Sequence, residues 1–273
     1  MTASRRLALA TALGGAVLTL ITVGTPLAAS GAANGAPSPT YVALGDSFAS
    51  GVGTRAYYDD GSGCQRSPYA YPVLDAARIG ATLIFAACSG ASTTDVRNSQ
   101  LAGLDGATRW VTVTVGGNDA GFASVLTECA QPWWSSDCNG AIDEARAVIR
   151  NLLPGRLDQV YAAIAQRAPS ARTVVVGYPR LFNGEDCNAG TWFSPSEMQR
   201  LNDTADLLNA TIRARAASAG FDHVDPTTAF LGHAVCSDTE WINGLSHPVN
   251  ESYHPNRNGQ RGYADLVDDA LVS

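Results

Sequence analysis

Five short apolar runs, at residues 41–44, 81–86, 110–115, 173–177 and 221–224, recur along the chain. Between and after them, residues 70–79, 141–153, 155–167, 195–218 and 258–271 carry the mixed apolar and polar pattern of helices. Pro154 and Pro195 mark two helix starts, where the missing N–H of proline costs nothing. Strands alternating with helices predict an α/β fold with a parallel sheet between two helical layers, a three-layer α/β/α architecture. In such sheets binding sites form beyond the carboxyl ends of the strands. The residues that follow each apolar run therefore carry the functional information.

Three of those exits are polar and rich in glycine. Gly45-Asp46-Ser47 follows the first run, Cys88-Ser89-Gly90-Ala91-Ser92 the second, and Gly116-Gly117-Asn118-Asp119 the third. The parallel topology brings all three to one end of the sheet.

The amino terminus stands apart from this pattern. Arg5 and Arg6, an apolar stretch over residues 7–23, and an Ala/Gly/Ser-rich stretch over residues 26–36 read as a secretory signal peptide, with cleavage between residues 29 and 36. Residues 37–273 then form a single domain, uninterrupted by linkers or repeats. The 45% hydrophobic content is ample for one core. A formal net charge of −7 argues against nucleic acid, whose phosphates demand a basic footprint. The chain has no lysine, which excludes Schiff-base chemistry, lysine bases and a Walker A phosphate loop. Six cysteines, Cys64, Cys88, Cys129, Cys138, Cys187 and Cys236, are an even set in an exported chain and point to three disulfides. No Cys-x-x-Cys occurs, and the His233–Cys236 spacing stands alone, so a metal site is not expected.

The Gly-Asp-Ser exit admits three readings: a nucleotide loop, a nucleophile or a plain turn. It lacks the glycine pair of a dinucleotide fingerprint. A serine nucleophile needs a base, a group that orients the base, and donors for an oxyanion. The Gly-x-Ser-x-Gly elbow of α/β-hydrolases is absent. Of four histidines, His223 falls within a strand and His233 and His247 in loops. His254 precedes the last helix, in a loop stiffened by Pro255 that a docked helix can return to the strand ends.

Gly45-Asp46-Ser47, Gly90, Gly116-Gly117-Asn118-Asp119 and His254-Pro255-Asn256 together resemble, in order, the four blocks of the SGNH, or GDSL, hydrolase family. Within it the chain looks most like secreted actinobacterial lipases, esterases and phospholipases. Residues 176–179 and 229–233 add to that likeness. The resemblance implies a flavodoxin-like sheet. It implies Ser47 as nucleophile, His254 as general base and then acid, and an oxyanion hole from the N–H groups of Ser47 and Gly90 and the Asn118 amide. It also implies the pairs Cys64–Cys88, Cys129–Cys138 and Cys187–Cys236, and neither metal nor organic cofactor. Asp46 is expected to stabilise the turn.

One position departs from the pattern. The family places aspartate three residues before the histidine, and Glu251 stands there. Either its longer carboxylate or the backbone carbonyl of Ser252 orients His254, and the added methylene favours the carbonyl. The expected function is a secreted serine carboxylic-ester hydrolase acting through an acyl-enzyme on lipid or other acyl esters. The expected protein is a monomer whose partner is an ester substrate, with neither nucleic acid nor a stable membrane anchor. A carbohydrate acetyl esterase and a non-catalytic flavodoxin-like binding module are the alternatives. Trp133, Trp134, Trp192 and Phe193 lie in long loops, either beside an acyl groove or lipid surface or in a local mini-core.

Overall fold

The computed structural model describes residues 38–273, and the signal-peptide reading of residues 1–36 lies outside the described residues. Each apolar run becomes a strand: β1 (Thr40–Gly45), β2 (Thr82–Phe85), β3 (Thr108–Thr114), β4 (Arg172–Val176) and β5 (Asp222–Val224). They form one sheet in the order β2-β1-β3-β4-β5, and every pair is parallel. This is the flavodoxin-like order, whose direction of winding reverses between β1 and β3 and leaves a crevice there. β1, β3 and β4 are buried along almost their whole length, as strands covered on both faces must be. β2, on the edge, alternates between exposed and half-buried positions.

The helices are α1 (Ser47–Ser50), α2 (Tyr71–Ile79), α3 (Thr93–Asp95), α4 (Phe122–Cys129), α5 (Cys138–Asn151), α6 (Leu153–Arg167), α7 (Pro195–Ala219) and α8 (Arg257–Val272). α2 packs on α8, while α5, α6 and α7 pack on one another. Right-handed crossovers on the two sides of the winding reversal place these groups on opposite faces of the sheet. The helix ends follow local chemistry. Ser194 and Glu197 form a reciprocal capping box ahead of Pro195, and Gly220 ends α7 in the left-handed conformation. Among the described residues no helix is long and apolar enough to cross a membrane.

α1, α3 and α4 are absent from the sequence reading. Each spans at most eight residues, little more than two turns, too few for an apolar period to stand out. All three border the crevice loops, so the elements that pattern reading misses are those nearest the site.

Candidate active site

Ser47 is the first residue of α1, and its neighbour explains why the chain turns there. Asp46 is the N-cap, and its Oδ1 accepts from the Phe48 N–H at 3.0 Å. Gly45, with φ +131, lies so close to β3 that any side chain would strike the Thr114 carbonyl. Only glycine allows the strand exit to approach its neighbour this closely. The buried Gln100 amide clasps the same residue, accepting from the Gly45 N–H at 2.7 Å and donating to its carbonyl at 2.8 Å. Gln260 of α8 donates to the Phe48 carbonyl at 3.0 Å. The serine thus projects from a turn braced on both sides.

Asp46 is buried, and burial raises its carboxyl to about 7 despite the Tyr178 hydroxyl that donates to it at 2.6 Å. The same hydroxyl accepts from the Gly117 N–H at 3.2 Å. Tyr178 therefore links the exits of β1, β3 and β4. Pattern and spacing alone gave it no role, although it lies in one of the supporting family stretches.

His254 Nε2 lies 2.8 Å from Ser47 Oγ, and its Nδ1 lies 2.9 Å from the Ser252 carbonyl oxygen. A carbonyl can only accept, so Nδ1 carries the proton and Nε2 is free to accept from the serine hydroxyl. Burial lowers the imidazole to about 4, against the opposing pull of the Ser252 carbonyl. The ring is held by Phe48, 5.3 Å away between centroids. Its loop is pinned by paired backbone bonds, from Tyr253 N–H to the Asn243 carbonyl and from Asn243 N–H to the His254 carbonyl.

Glu251 is buried but turned from the imidazole. Its Oε1 accepts from the Tyr57 hydroxyl, which also accepts from the Gly53 N–H, and Oε2 has no partner among the described residues. Of the two candidate orienters, the structure places the Ser252 carbonyl, not the Glu251 carboxylate, against His254. The remaining histidines lie elsewhere. His223 is in β5, His233 stacks on Trp241 at 4.1 Å, and His247 is exposed.

The oxyanion candidates stand at the neighbouring exits. Asn118 follows β3 and spends one amide hydrogen on the Ala91 carbonyl at 3.0 Å, leaving the other without an acceptor among the described residues. Asp119 accepts from the backbone N–H of Thr93 at 2.8 Å and from its hydroxyl at 2.6 Å. Gly90 has φ +79 and lies at the surface of this same loop. Among the described residues the N–H groups of Ser47 and Gly90 have no acceptor, so both are free to donate to a ligand. The disulfide Cys64–Cys88 and the bond from Ser89 N–H to the Cys64 carbonyl anchor the loop. The other bridges are Cys129–Cys138 and Cys187–Cys236. With Cys236 so bonded and its N–H donating to Glu240, the His233–Cys236 spacing builds no metal site.

A cavity of about 480 Å³ opens onto Ser47, His254 and Asn118. Its walls are mainly apolar and include Phe48, Phe122, Leu126, Leu181 and Leu208. That size suits a small-molecule or acyl group. The four loop aromatics divide. Phe193 is buried against Phe182 and Tyr253, whereas Trp133, Trp134 and Trp192 are exposed.

The GDSL-like Lipase/Acylhydrolase family model matches residues 43–261. A lipase of Streptomyces rimosus is 44% identical over 276 residues, covering 99% of this chain and 100% of that protein. The crystal structure of the extracellular lipase from Streptomyces rimosus superimposes with a TM-score of 0.80, covering 85% of this chain and 100% of that chain at 44% identity. Phospholipase A1 from Streptomyces albidoflavus NA297 matches with the same TM-score at 42% identity, covering 85% and 99%.

Proposed function

The chain belongs to the GDSL-like lipase/acylhydrolase family, and from that premise we propose a secreted serine hydrolase of lipid acyl esters with Ser47 as nucleophile and His254 as base. It is a carboxylic ester hydrolase. The observation that carries the finer reading is the apolar cavity opening onto the Ser47–His254 pair. An acetyl group needs little apolar volume, so the cavity favours a longer acyl chain over the carbohydrate acetyl esterase.

In this reading Ser47 Oγ attacks the ester carbonyl as His254 Nε2 takes its proton. The carbonyl of Ser252 holds the resulting imidazolium in place. The developing oxyanion receives the N–H groups of Ser47 and Gly90 and the free amide hydrogen of Asn118. Removal of one such donor typically costs about 3 kcal/mol of transition-state stabilisation. His254 then passes its proton to the leaving alkoxide, and a water activated by the same imidazole hydrolyses the acyl-enzyme.

Residues 1–36 are taken as the export signal and residues 37–273 as one catalytic domain. The basic and apolar pattern of the first segment and the extracellular origin of the Streptomyces rimosus relative support this. All the groups named in the mechanism come from one chain, which is consistent with a working monomer.

A serine-reactive phosphonate followed by mass mapping tests the assignment. The adduct is expected on Ser47 alone, and Ser47→Ala and His254→Ala should each lower kcat by roughly three orders of magnitude or more with the fold intact. An adduct on Ser50, Ser89 or Ser92 overturns it. An acyl-chain series should rise in kcat/KM from acetyl to longer chains; a maximum at acetyl favours the sugar esterase.

A further inference from the structure

Three loop segments, residues 130–136, 188–194 and 243–250, meet at the cavity mouth, and each has the same two properties. Each contributes lining residues: Ala130 and Gln131 from the first, Gly190 and Thr191 from the second, Leu245 and Val249 from the third. Each also exposes large apolar side chains to solvent. Trp133 is 79% exposed and Trp134 67%, Trp192 47%, and Val249 63%. Exposed aromatic surface that rims a binding cavity marks an interaction face, unlike scattered single hydrophobes.

The charge pattern says what kind of surface this is. The three segments contain no aspartate, glutamate or arginine in a chain that otherwise carries 43 such formal charges and a net charge of −7. A face for anionic lipid would present arginine, and a face for a basic protein would present carboxylates. This one presents tryptophan and aliphatic groups, with carboxylates only at its margins, where Asp186 accepts from the Thr191 hydroxyl and the Phe193 N–H and Asp137 follows the first segment. Tryptophan, apolar with one N–H donor, is the side chain that settles at the boundary of headgroup and hydrocarbon. Trp133 and Trp134 pack edge to face at 5.7 Å in a hairpin closed by Cys129–Cys138, so little conformational freedom is lost on docking.

We propose that this rim docks on an uncharged or zwitterionic lipid surface and delivers an acyl chain into the cavity directly beneath. The proposal rests on the ester-hydrolase reading of the site. Docking is driven by burial of the Trp133–Trp134 hairpin with Trp192 and Val249, and it needs no anionic headgroup.

The test separates docking from hydrolysis. The secreted form of the Ser47→Ala protein, free of the export signal and unable to turn over in this reading, is sedimented with phosphatidylcholine vesicles and compared with the same protein also carrying Trp133→Ala and Trp134→Ala. Partitioning should fall about tenfold with the tryptophan changes. It should be indifferent to added phosphatidylserine and to raising salt from about 0.1 to about 0.5 M. With Ser47 restored, the tryptophan variant should keep its rate on a dissolved butyrate ester within about twofold while losing most activity on vesicle lipid. Equal partitioning of the two Ser47→Ala proteins overturns the proposal, as does binding that grows with phosphatidylserine. A tryptophan-dependent dimer in sedimentation velocity, with no vesicle binding, overturns it in favour of self-association. If the wild-type protein hydrolyses neither substrate while vesicle binding still depends on the tryptophans, the hydrolase reading falls and the docking surface stands.

Discussion

At the scale of single residues, the departure at Glu251 has a geometric account. A carboxylate three residues before the histidine here accepts from the Tyr57 hydroxyl, which in turn accepts from the Gly53 N–H, and so ties the loop after α1 to the loop bearing His254. Burial, reinforced by the Glu251 acceptor, pushes the Tyr57 hydroxyl above its ordinary value, so it remains a donor. Glu251 is thus a positioning residue in this reading. Glu251→Gln should lower kcat/KM by less than about tenfold, or about 1.4 kcal/mol. Its pH–rate profile should keep the wild-type acid limb, set by the imidazole near 4. Losing the carboxylate partner of a serine triad costs about 10⁴ in rate. A loss of that order would mean that the carboxylate reaches His254 during turnover.

At the scale of elements, the exits of β2 and β3 are clamped together by neighbouring side chains. Asn118 bonds the Ala91 carbonyl, and Asp119 bonds both polar groups of Thr93 at the start of α3 while pairing with Arg156. Two parts of the proposed oxyanion hole, on different loops, therefore keep a common geometry. Asp119→Ala should reduce kcat about tenfold or more with KM changed less than about twofold, because the hole acts on the transition state rather than on bound substrate. Thr93→Val should add little once Asp119 is gone, since the two act through one contact. A full, additive loss in the double variant, or a rise in KM alone, would refute the clamp.

At the scale of the whole molecule, burial sets how stability depends on pH. Asp46 is raised to about 7 and Asp75, in α2 beneath α8, to about 9, each chiefly by desolvation. Both Asp75 oxygens lack a hydrogen-bond partner among the described residues. A carboxyl whose folded value lies above its unfolded value binds a proton in the native state that the unfolded chain has released. Stability therefore falls as pH rises from about 4 through the folded values. His254, lowered to about 4, acts oppositely and only between about 4 and 6.5. Above pH 7 the Asp75 contribution dominates, since Asp46 completes its ionisation just above that value. The melting temperature should decline between about pH 7 and 9. Asp75→Asn should flatten that decline and gain several degrees at pH 9 relative to pH 5, read by calorimetry with the disulfides intact. An unchanged slope would show that Asp75 finds a partner or solvent when ionised.

The alternation of five apolar runs with helical stretches was enough to establish the parallel α/β sheet, because strands buried on both faces need continuous apolar residues. The glycine-rich exits announced where chemistry belongs, and Ser47, Asn118 and His254 could be named from their blocks. The sheet order then joins them: reversal of winding at β1 and β3 opens the crevice, and the loop before α8 returns His254 across 207 residues to Ser47. Sequence favoured the Ser252 carbonyl over Glu251 only through the length of the glutamate side chain; the backbone direction that separates two groups within three residues of His254 was not legible there. The contacts of Gln100, Tyr178 and Tyr57 were invisible for a related reason. Each is an ordinary polar residue whose role arises only from a contact across 55, 132 or 194 positions. The split of the loop aromatics into buried Phe193 and exposed Trp192, adjacent in the chain, likewise follows from which way each side chain faces once the loop is packed. Local pattern determines elements because it acts through neighbours in the chain; the partners of a buried polar side chain are determined only by the packing that removes water around it.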